Sequence, residues 1–213
     1  MRLVVIGAHR QRSDIEPLAA ALEVGGVWLS GLEVIADQPL GHRDLLLRVA
    51  GTRAALLDRA TFIAIRYGFV IHDPADASAK CAAHLERWRR LLDDCKGMVE
   101  MTLKVVTEPA RPRPDRRDFD SGASYLRALH EATHASHVDP QFRDTVNVRL
   151  APMAVKTRWS NRDQTSLEWT ALVSRESVAA MNDTATALKS DFPSIPFLLS
   201  GPWPLEVFAD DHE

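Results

Sequence analysis

The sequence of 213 residues contains little cysteine and no long apolar run, and both absences narrow what the protein can be. Its two cysteines, Cys81 and Cys95, fall on one predicted helix, which separates them by roughly 20 Å. A disulfide requires Cα atoms less than ~7 Å apart, so we expect two buried thiols. No apolar run approaches the ~20 residues of a membrane-spanning helix, and the N-terminal run is too short for a signal-peptide core. The sequence therefore predicts a cytoplasmic protein without a membrane span.

An excess of basic residues is also missing. Lys and Arg total 26 against 29 Asp and Glu, which gives a formal net charge of -3. Binding of nucleic acid through a broad basic surface needs a Lys and Arg excess to neutralise phosphates, so no nucleic-acid partner is expected. A glycine-rich phosphate loop is absent as well, because His9 stands where the second glycine would follow Gly7. We predict no cofactor.

Hydrophobic patterning divides the chain into two halves, each of mixed helix and strand. The first half is predicted to contain a strand, a second strand or bulged pair, a helix and a strand-like run, at residues 3–6, 27–36, 42–59 and 62–71. A long helix then begins at Asp73-Pro74, because an acidic cap followed by proline marks a helix start. Apolar residues recur at spacings of three and four as far as Cys95. We predict an N-terminal α+β domain over residues 1–96 that ends in this long bridging helix.

The second half follows the order β-α-β-β-α-β. The predicted strands and helices lie near residues 99–105, 121–129, 140–145, 153–159, 167–173, 178–188 and 195–199. This order is that of the ferredoxin-like, split βαβ arrangement, with extra helix in the first crossover. We therefore predict an α+β protein with two domains, in which residues 97–200 form a ferredoxin-like domain. A C-terminal tail, residues 201–213, is expected to pack on the body.

One short motif carries catalytic chemistry. His130, Glu131 and His134 spell H-E-x-x-H on a predicted helix, where two histidines one turn apart can bind zinc and the glutamate can act as general base. His137 lies within reach as a third ligand, but Pro140 occupies the last histidine position of the extended motif. A polar, solvated helix face is the favoured interpretation. A zinc-dependent hydrolase using these residues is the alternative function.

The C-terminal stretch is the most distinctive part of the sequence. Trp203 stands between Pro202 and Pro204, and Phe208 follows five residues after Trp203. The two prolines stiffen the chain and present a large amphipathic ring at a low entropic cost. These four residues are expected to anchor the tail on the body or to contact a partner, and the two roles are compatible.

Four stretches of the sequence resemble the signatures of a known family, and they occur in its order. The stretches are similar to its PVRFG, G-x-E-x-x-x-K-V, G-x-x-Y-L and TGPWPPYSF motifs, and they lie at residues 64–68, 98–105, 122–126 and 200–208. The residues at the signature positions include Arg66, Tyr67, Gly68, Tyr125 and Leu126. On these motifs the sequence resembles the GvpL/GvpF family of gas vesicle proteins.

The resemblance implies a non-enzymatic accessory protein for gas vesicle assembly. Members of that family bind the small hydrophobic shell protein GvpA and other accessory proteins, in the cytoplasm and at the gas vesicle. They have two α+β domains, of which the second is a modified ferredoxin fold packed against a C-terminal tail. The resemblance implies no catalytic, metal-binding or cofactor-binding residue, and it leaves the oligomeric state open. The sequence departs from the family where Ala64 replaces a proline, where Tyr67 replaces a phenylalanine and where Leu205-Glu206-Val207 replaces Pro-Tyr-Ser.

Overall fold

The computed structural model describes residues 2–35, 39–106, 114–134, 138–163 and 166–210, without the side chains of residues 130–134, 162, 163 and 210. It contains two antiparallel sheets with accompanying helices, which confirms the predicted mixture of helix and strand. The chain divides into two compact units. The first comprises Met1–Glu100 and Pro202–Glu213, and the second comprises Met101–Gly201.

The first unit is built around a sheet with a fully buried central strand. Its strands are β1 (Leu3–His9), β2 (Ala20–Val24), β3 (Val27–Glu33), β4 (Ile63–Ala64) and β5 (Val70–Ile71). The order across the sheet is β2-β3-β1-β4, and β5 also pairs with β1. Every residue of β1 is buried. A strand buried on both faces is apolar without alternation, which explains the continuous run at its start. The strand continues beyond the predicted end at Gly7 and reaches His9.

Three helices complete the first unit's main body, namely α1 (Arg43–Arg59), α2 (Pro74–Cys81) and α3 (Leu85–Asp94). The predicted helix over residues 42–59 corresponds to α1. The predicted start at Asp73 is also correct, because its carboxylate accepts the backbone N–H of Asp76 at 2.8 Å. The side chain thus satisfies a donor that the helix itself leaves without a partner.

The single long helix predicted from Asp73 to Cys95 is wrong, because α2 and α3 are separate. A tight turn divides them, in which the N–H of His84 donates to the C=O of Cys81 at 2.8 Å. That bond spans three residues instead of four, as in a 3-10 turn. Cys81, Leu92 and Cys95 are all buried, so the apolar spacing continues across the break. No glycine or proline marks the turn, and the periodicity conceals it.

Two glycines of the first unit lead to opposite predictions for stability. Gly51 lies inside α1, and Gly68 lies in the turn after β4 with φ +93°; an added Cβ would meet no atom within 4 Å at either position. We expect Gly51→Ala to raise the free energy of unfolding by about 0.5–1 kcal/mol, because alanine loses less backbone entropy. We expect Gly68→Ala to lower it by about 1–2 kcal/mol, because a left-handed backbone penalises Cβ. Urea unfolding of both variants checks this, and equal effects at the two positions would contradict it.

The second unit combines a four-stranded sheet with three helices. Its elements in chain order are β6 (Met98–Val106), α4 (Gly122–His134), α5 (Pro140–Arg149), β7 (Ala154–Asp163), β8 (Ser166–Ser174), α6 (Val178–Asp191) and β9 (Phe197–Trp203). The strand order is β7-β8-β6-β9. The division between the two units falls inside two of these strands, after Glu100 in β6 and after Gly201 in β9. No helix in the described ranges is long and apolar enough to cross a membrane.

Aromatic residues fill the core of the second unit. The ring of Phe142 on α5 contacts those of Phe192 and Phe197, with centroids 5.2 and 5.1 Å apart. Trp169 of β8 is fully buried, and its partner across the strand pair is Trp159 of β7. Large rings of this kind contribute much of the apolar area that a small core removes from water. They hold α5 and the end of α6 against the sheet.

Candidate partner-binding surface

The C-terminal arm, residues 202–210, docks on one edge of the first unit's sheet. Leu205 forms a parallel bridge with Ile63 of β4. The N–H of Leu205 donates to the C=O of Phe62, and the N–H of Ala64 donates to the C=O of Leu205, both at 2.9 Å. Since β4 is the last strand on its side of the sheet, the arm continues the hydrogen bonding beyond that edge. An edge with unpaired backbone groups is a template for other chains, and the arm covers part of it.

A buried carboxylate holds the residues that follow. Glu100 is only 2% exposed. Its Oε1 accepts the N–H groups of Glu206 and Phe208, each at 2.9 Å, and its Oε2 accepts that of Val207 at 3.0 Å. These donors belong to the start of the short helix α7 (Val207–Asp210), where a helix provides no carbonyl partner. A side chain remote in sequence therefore serves as the cap.

The environment of Glu100 favours a structural role for its carboxylate. Burial raises the pKa of the Glu100 carboxyl, while the three N–H donors oppose that effect by stabilising the charged form. Burial is the larger influence. Because the three donors fix both oxygens, the carboxylate acts as a clamp on the arm.

A buried histidine lies behind the edge on which the arm docks. The ring of His9 stacks on that of Phe62, with centroids 4.8 Å apart and planes at 17°. Its Nε2 shares a hydrogen bond of 2.9 Å with the hydroxyl of Ser30, and that hydroxyl also lies 3.3 Å from the C=O of Gly7. Burial lowers the pKa of His9 to about 3. The imidazole is therefore neutral wherever the protein is folded near neutral pH.

The residues of the arm separate into a buried anchor and an exposed ring. Leu205 is 1% exposed and Phe208 4% exposed. Pro204 is buried and Pro202 is half-buried, whereas Trp203 is 47% exposed. Thus the structure places the four residues singled out in the sequence on one segment, with the indole on the surface and the phenyl ring inside.

Glu100 and Leu205 were not identified by sequence reasoning. A glutamate in an alternating strand is expected to face water, and nothing local indicates that Glu100 is buried. Its place in the G-x-E signature is the signal that could have identified it.

The first-unit signature residues form the turn that follows β4. The N–H of Phe69 donates to the C=O of Arg66 at 3.3 Å, and Gly68 supplies the left-handed conformation within the turn. The hydroxyl of Tyr67 donates to the C=O of Leu40, which ties the turn to the chain segment before α1. Arg66 is exposed. These contacts shape the turn beside the strand on which the arm docks.

The other signature residues lie on α4 in the second unit. The ring of Tyr125 meets that of Phe119 edge-on at 5.9 Å, and the guanidinium of Arg116 lies 5.9 Å from its centroid. Leu126 is exposed. Tyr125 therefore packs with the segment that precedes the helix, while Leu126 faces solvent.

The H-E-x-x-H stretch stays a sequence prediction. His130, Glu131 and His134 belong to α4, but their side chains lie outside the described residues, as does all of His137. Within the described ranges, no three side chains of His, Cys, Asp or Glu are grouped so that they could hold a metal ion.

Comparison with known proteins identifies the family. Residues 42–209 match the profile of the family described as gas vesicle synthesis protein GvpL/GvpF. The chain belongs to the GvpL/GvpF family. The family suggested by the four motifs is thereby confirmed, and the matched region contains both Glu100 and Leu205. No curated protein matches this chain.

Solved structures of GvpF proteins have a similar fold. The crystal structure of gas vesicle protein GvpF from Microcystis aeruginosa is 12% identical, with a TM-score of 0.75 over 98% of this chain and 99% of that one. The crystal structure of GvpF from an Anabaena species is also 12% identical, with a TM-score of 0.66 over 100% of this chain and 99% of that one. The fold therefore persists at very low sequence identity.

Proposed function

We propose that this GvpL/GvpF family member is a non-catalytic accessory protein of gas vesicle assembly that binds the hydrophobic shell protein GvpA and other accessory proteins. Family membership supports the link to gas vesicles. The observation that supports binding through the arm is the exposed indole of Trp203. It directly precedes a segment that Leu205 and Glu100 fix in place. An aromatic side chain on a rigid support is typical of binding hot spots.

The proposed chemistry is the temporary covering of an apolar surface. A hydrophobic shell subunit exposes apolar area before it enters the vesicle wall, and such area promotes aggregation. A partner that offers a complementary apolar surface keeps the subunit soluble until it is delivered. An indole suits this role because it contributes a large contact area with few rotatable bonds. The protein would act in the cytoplasm and at the growing vesicle.

A ferredoxin-like arrangement is part of the same proposal for the second unit. Its elements follow the βαββαβ pattern, with an additional helix in the first crossover. In chain order they are β6, α4 with α5, β7, β8, α6 and β9. In the sheet, β8 lies between β6 and β7, so the third strand separates the first two. That insertion is the feature for which the split βαβ unit is named.

Gas vesicle formation tests the proposed function. The source organism's gas vesicle gene set is expressed in a host without vesicles, with this chain present, omitted, or carrying His134→Ala. We expect buoyant vesicles with the parent chain, at least about tenfold fewer without it, and the parent yield with the variant. Undiminished vesicles without the chain would contradict an assembly role. Loss of vesicles with a folded His134→Ala variant would contradict the non-catalytic role and favour the zinc hydrolase.

A further inference from the structure

The outermost strand of the second unit's sheet, β7, has one side without a partner strand. It pairs with β8 on its other side, and no further strand joins it within the described ranges. The successive residues 155–158 are all exposed, so this part of the strand is accessible to solvent. The unpaired N–H and C=O groups of an outermost strand are a template for an added strand. An extended segment of another protein can therefore join the sheet at this edge.

Two irregularities in the pairing limit the length of this edge. The register between β7 and β8 shifts between Ala154 and Lys156 and again between Asn161 and Asp163. Between the two shifts the register is regular, and it begins with Lys156 opposite Leu172. Because a bulge bends its strand and interrupts pairing, an added strand has residues 156–161, a length of about 20 Å, to pair with.

The two faces of this stretch carry different side chains, because successive residues of a strand point to opposite faces. One face presents Lys156, Arg158 and Ser160, and the other presents Thr157, Trp159 and Asn161. On the second face, the indole N–H of Trp159 donates to Oδ1 of Asn147 at 3.0 Å, and the guanidinium of Arg143 lies 5.2 Å from the ring centroid. The strand is therefore basic on one face and has a fixed aromatic ring on the other.

The basic face favours a partner with acidic side chains. On β8 one carboxylate, that of Glu168 opposite Ser160, lies on this face, so the cations of Lys156 and Arg158 outnumber it. Both cations already interact with other groups of the protein, but lysine has three donors and arginine five, so they can accept a further carboxylate. Opposite charges across a strand pair stabilise it, and like charges destabilise it. The same face therefore repels a basic strand, including β7 of another copy.

We propose that β7 is a docking edge for an extended acidic segment of a partner protein, which adds to the sheet beside residues 156–161. The segment carries acidic side chains at alternate positions, opposite Lys156 and Arg158, and apolar side chains between them, on the face of Trp159. Backbone hydrogen bonds provide the attachment, and the alternating charges provide the selectivity. Since β7 belongs to the second unit and the arm to the first, binding at this edge and binding through the arm are separable.

The first test measures peptide binding to the full chain by fluorescence anisotropy. The probe is a capped peptide of about eight residues in which glutamate alternates with valine, long enough to span the regular stretch. One comparison peptide has lysine in place of glutamate, and another is methylated at every backbone nitrogen, so it keeps the charges but has no donors. We expect the probe to bind at least about tenfold more tightly than either. Absence of binding, or equal binding of the methylated peptide, would overturn strand addition.

Reversal of charge on the strand identifies the site. The double variant Lys156→Glu with Arg158→Glu should bind the acidic peptide at least about tenfold more weakly and should bind the lysine peptide better. The matched control is Arg117→Glu with Lys189→Glu, which changes the net charge equally at exposed positions elsewhere in the second unit. It should bind the peptides as the parent does. Unchanged binding by the β7 variant, or an equal loss in the control, would contradict docking at β7.

Hydrogen exchange in the parent chain locates the bound peptide without any substitution. A saturating amount of the acidic peptide should slow the exchange of backbone amides within residues 156–161, because the amides on the free side gain acceptors. The strand β2 serves as the comparison, since it is also outermost in its sheet but carries Glu23 and no cation. Its amides should exchange as they do without peptide. Unchanged exchange in β7, or equal slowing in both strands, would overturn the proposed site.

Discussion

Replacing Glu100 with alanine is expected to lower the free energy of unfolding by about 3 kcal/mol or more. The substitution removes the acceptor of three N–H groups at once, and the Phe208 donor is buried. Each buried donor left without an acceptor lowers the stability of the folded protein by about 1–3 kcal/mol, because its hydrogen bonds with water are not restored. Urea unfolding at pH 7 measures the effect. Hydrogen exchange should show the amides of residues 206–208 losing protection first.

Two variants serve as controls for the Glu100 prediction. Glu100→Gln keeps one carbonyl oxygen but turns an amide N–H₂ toward the third donor, so an intermediate loss is expected. Glu206→Ala changes an exposed side chain of the same segment and keeps its backbone N–H, so its effect should stay within about 0.5 kcal/mol. Parent-like stability of Glu100→Ala would show that the carboxylate does not clamp the arm.

The second large effect is a loss of stability in acid caused by His9. Its pKa is about 3 in the folded protein and 6.5 in the unfolded chain, so the unfolded chain takes up the proton first as pH falls. The contribution of neutral His9 to the free energy of unfolding is therefore fully present above pH 6.5 and is lost as the pH falls toward 3. Between pH 7.5 and pH 4.5 the free energy of unfolding should decrease by about 3 kcal/mol from this residue.

Comparison of pH profiles isolates the contribution of His9. His9→Phe retains a ring to stack on Phe62 but has no titrating group. Its free energy of unfolding should therefore lack the decrease of about 3 kcal/mol between pH 7.5 and pH 4.5 that His9 causes in the parent. Ser30→Ala removes the hydrogen-bond partner yet leaves the histidine buried, and most of the parent's slope should remain. Parallel curves for the parent and His9→Phe between pH 4.5 and 7.5 would refute this account.

The elements predicted correctly from sequence are those with a strong local pattern. The helix α1 and the strand β6 show the periods of 3.6 and 2 that their burial requires. By contrast, β2 was missed because residues 20–24 include only one β-branched residue. The alternation in β7 predicted a strand, but Val155 is exposed, and the pairing of β7 with β8 shifts register between Ala154 and Lys156. A bulge of this kind depends on the partner strand, which alternation within one strand does not encode.

The candidate surface could be predicted only in part, for the same reason. Trp203 and its flanking prolines stand out in composition, so the arm was recognisable as a distinct segment. Its attachment was not, because Glu100 and the arm meet across 106 to 108 positions and no local signal links them. The family motifs contain both partners, but a motif does not state that its residues touch.

The amount of GvpA that this chain keeps soluble tests whether it binds the shell protein through the arm. GvpA from the same organism is co-expressed with the tagged parent chain, with Trp203→Ala or with Ile35→Ala. The Ile35→Ala variant is the control, because it truncates an apolar side chain that is 77% exposed and lies elsewhere in the first unit. We predict that GvpA stays soluble and co-purifies with the parent and with the control. At least about tenfold less GvpA should co-purify with Trp203→Ala. Equal recovery with Trp203→Ala would contradict binding through the arm, and no recovery with any chain would contradict binding of the shell protein.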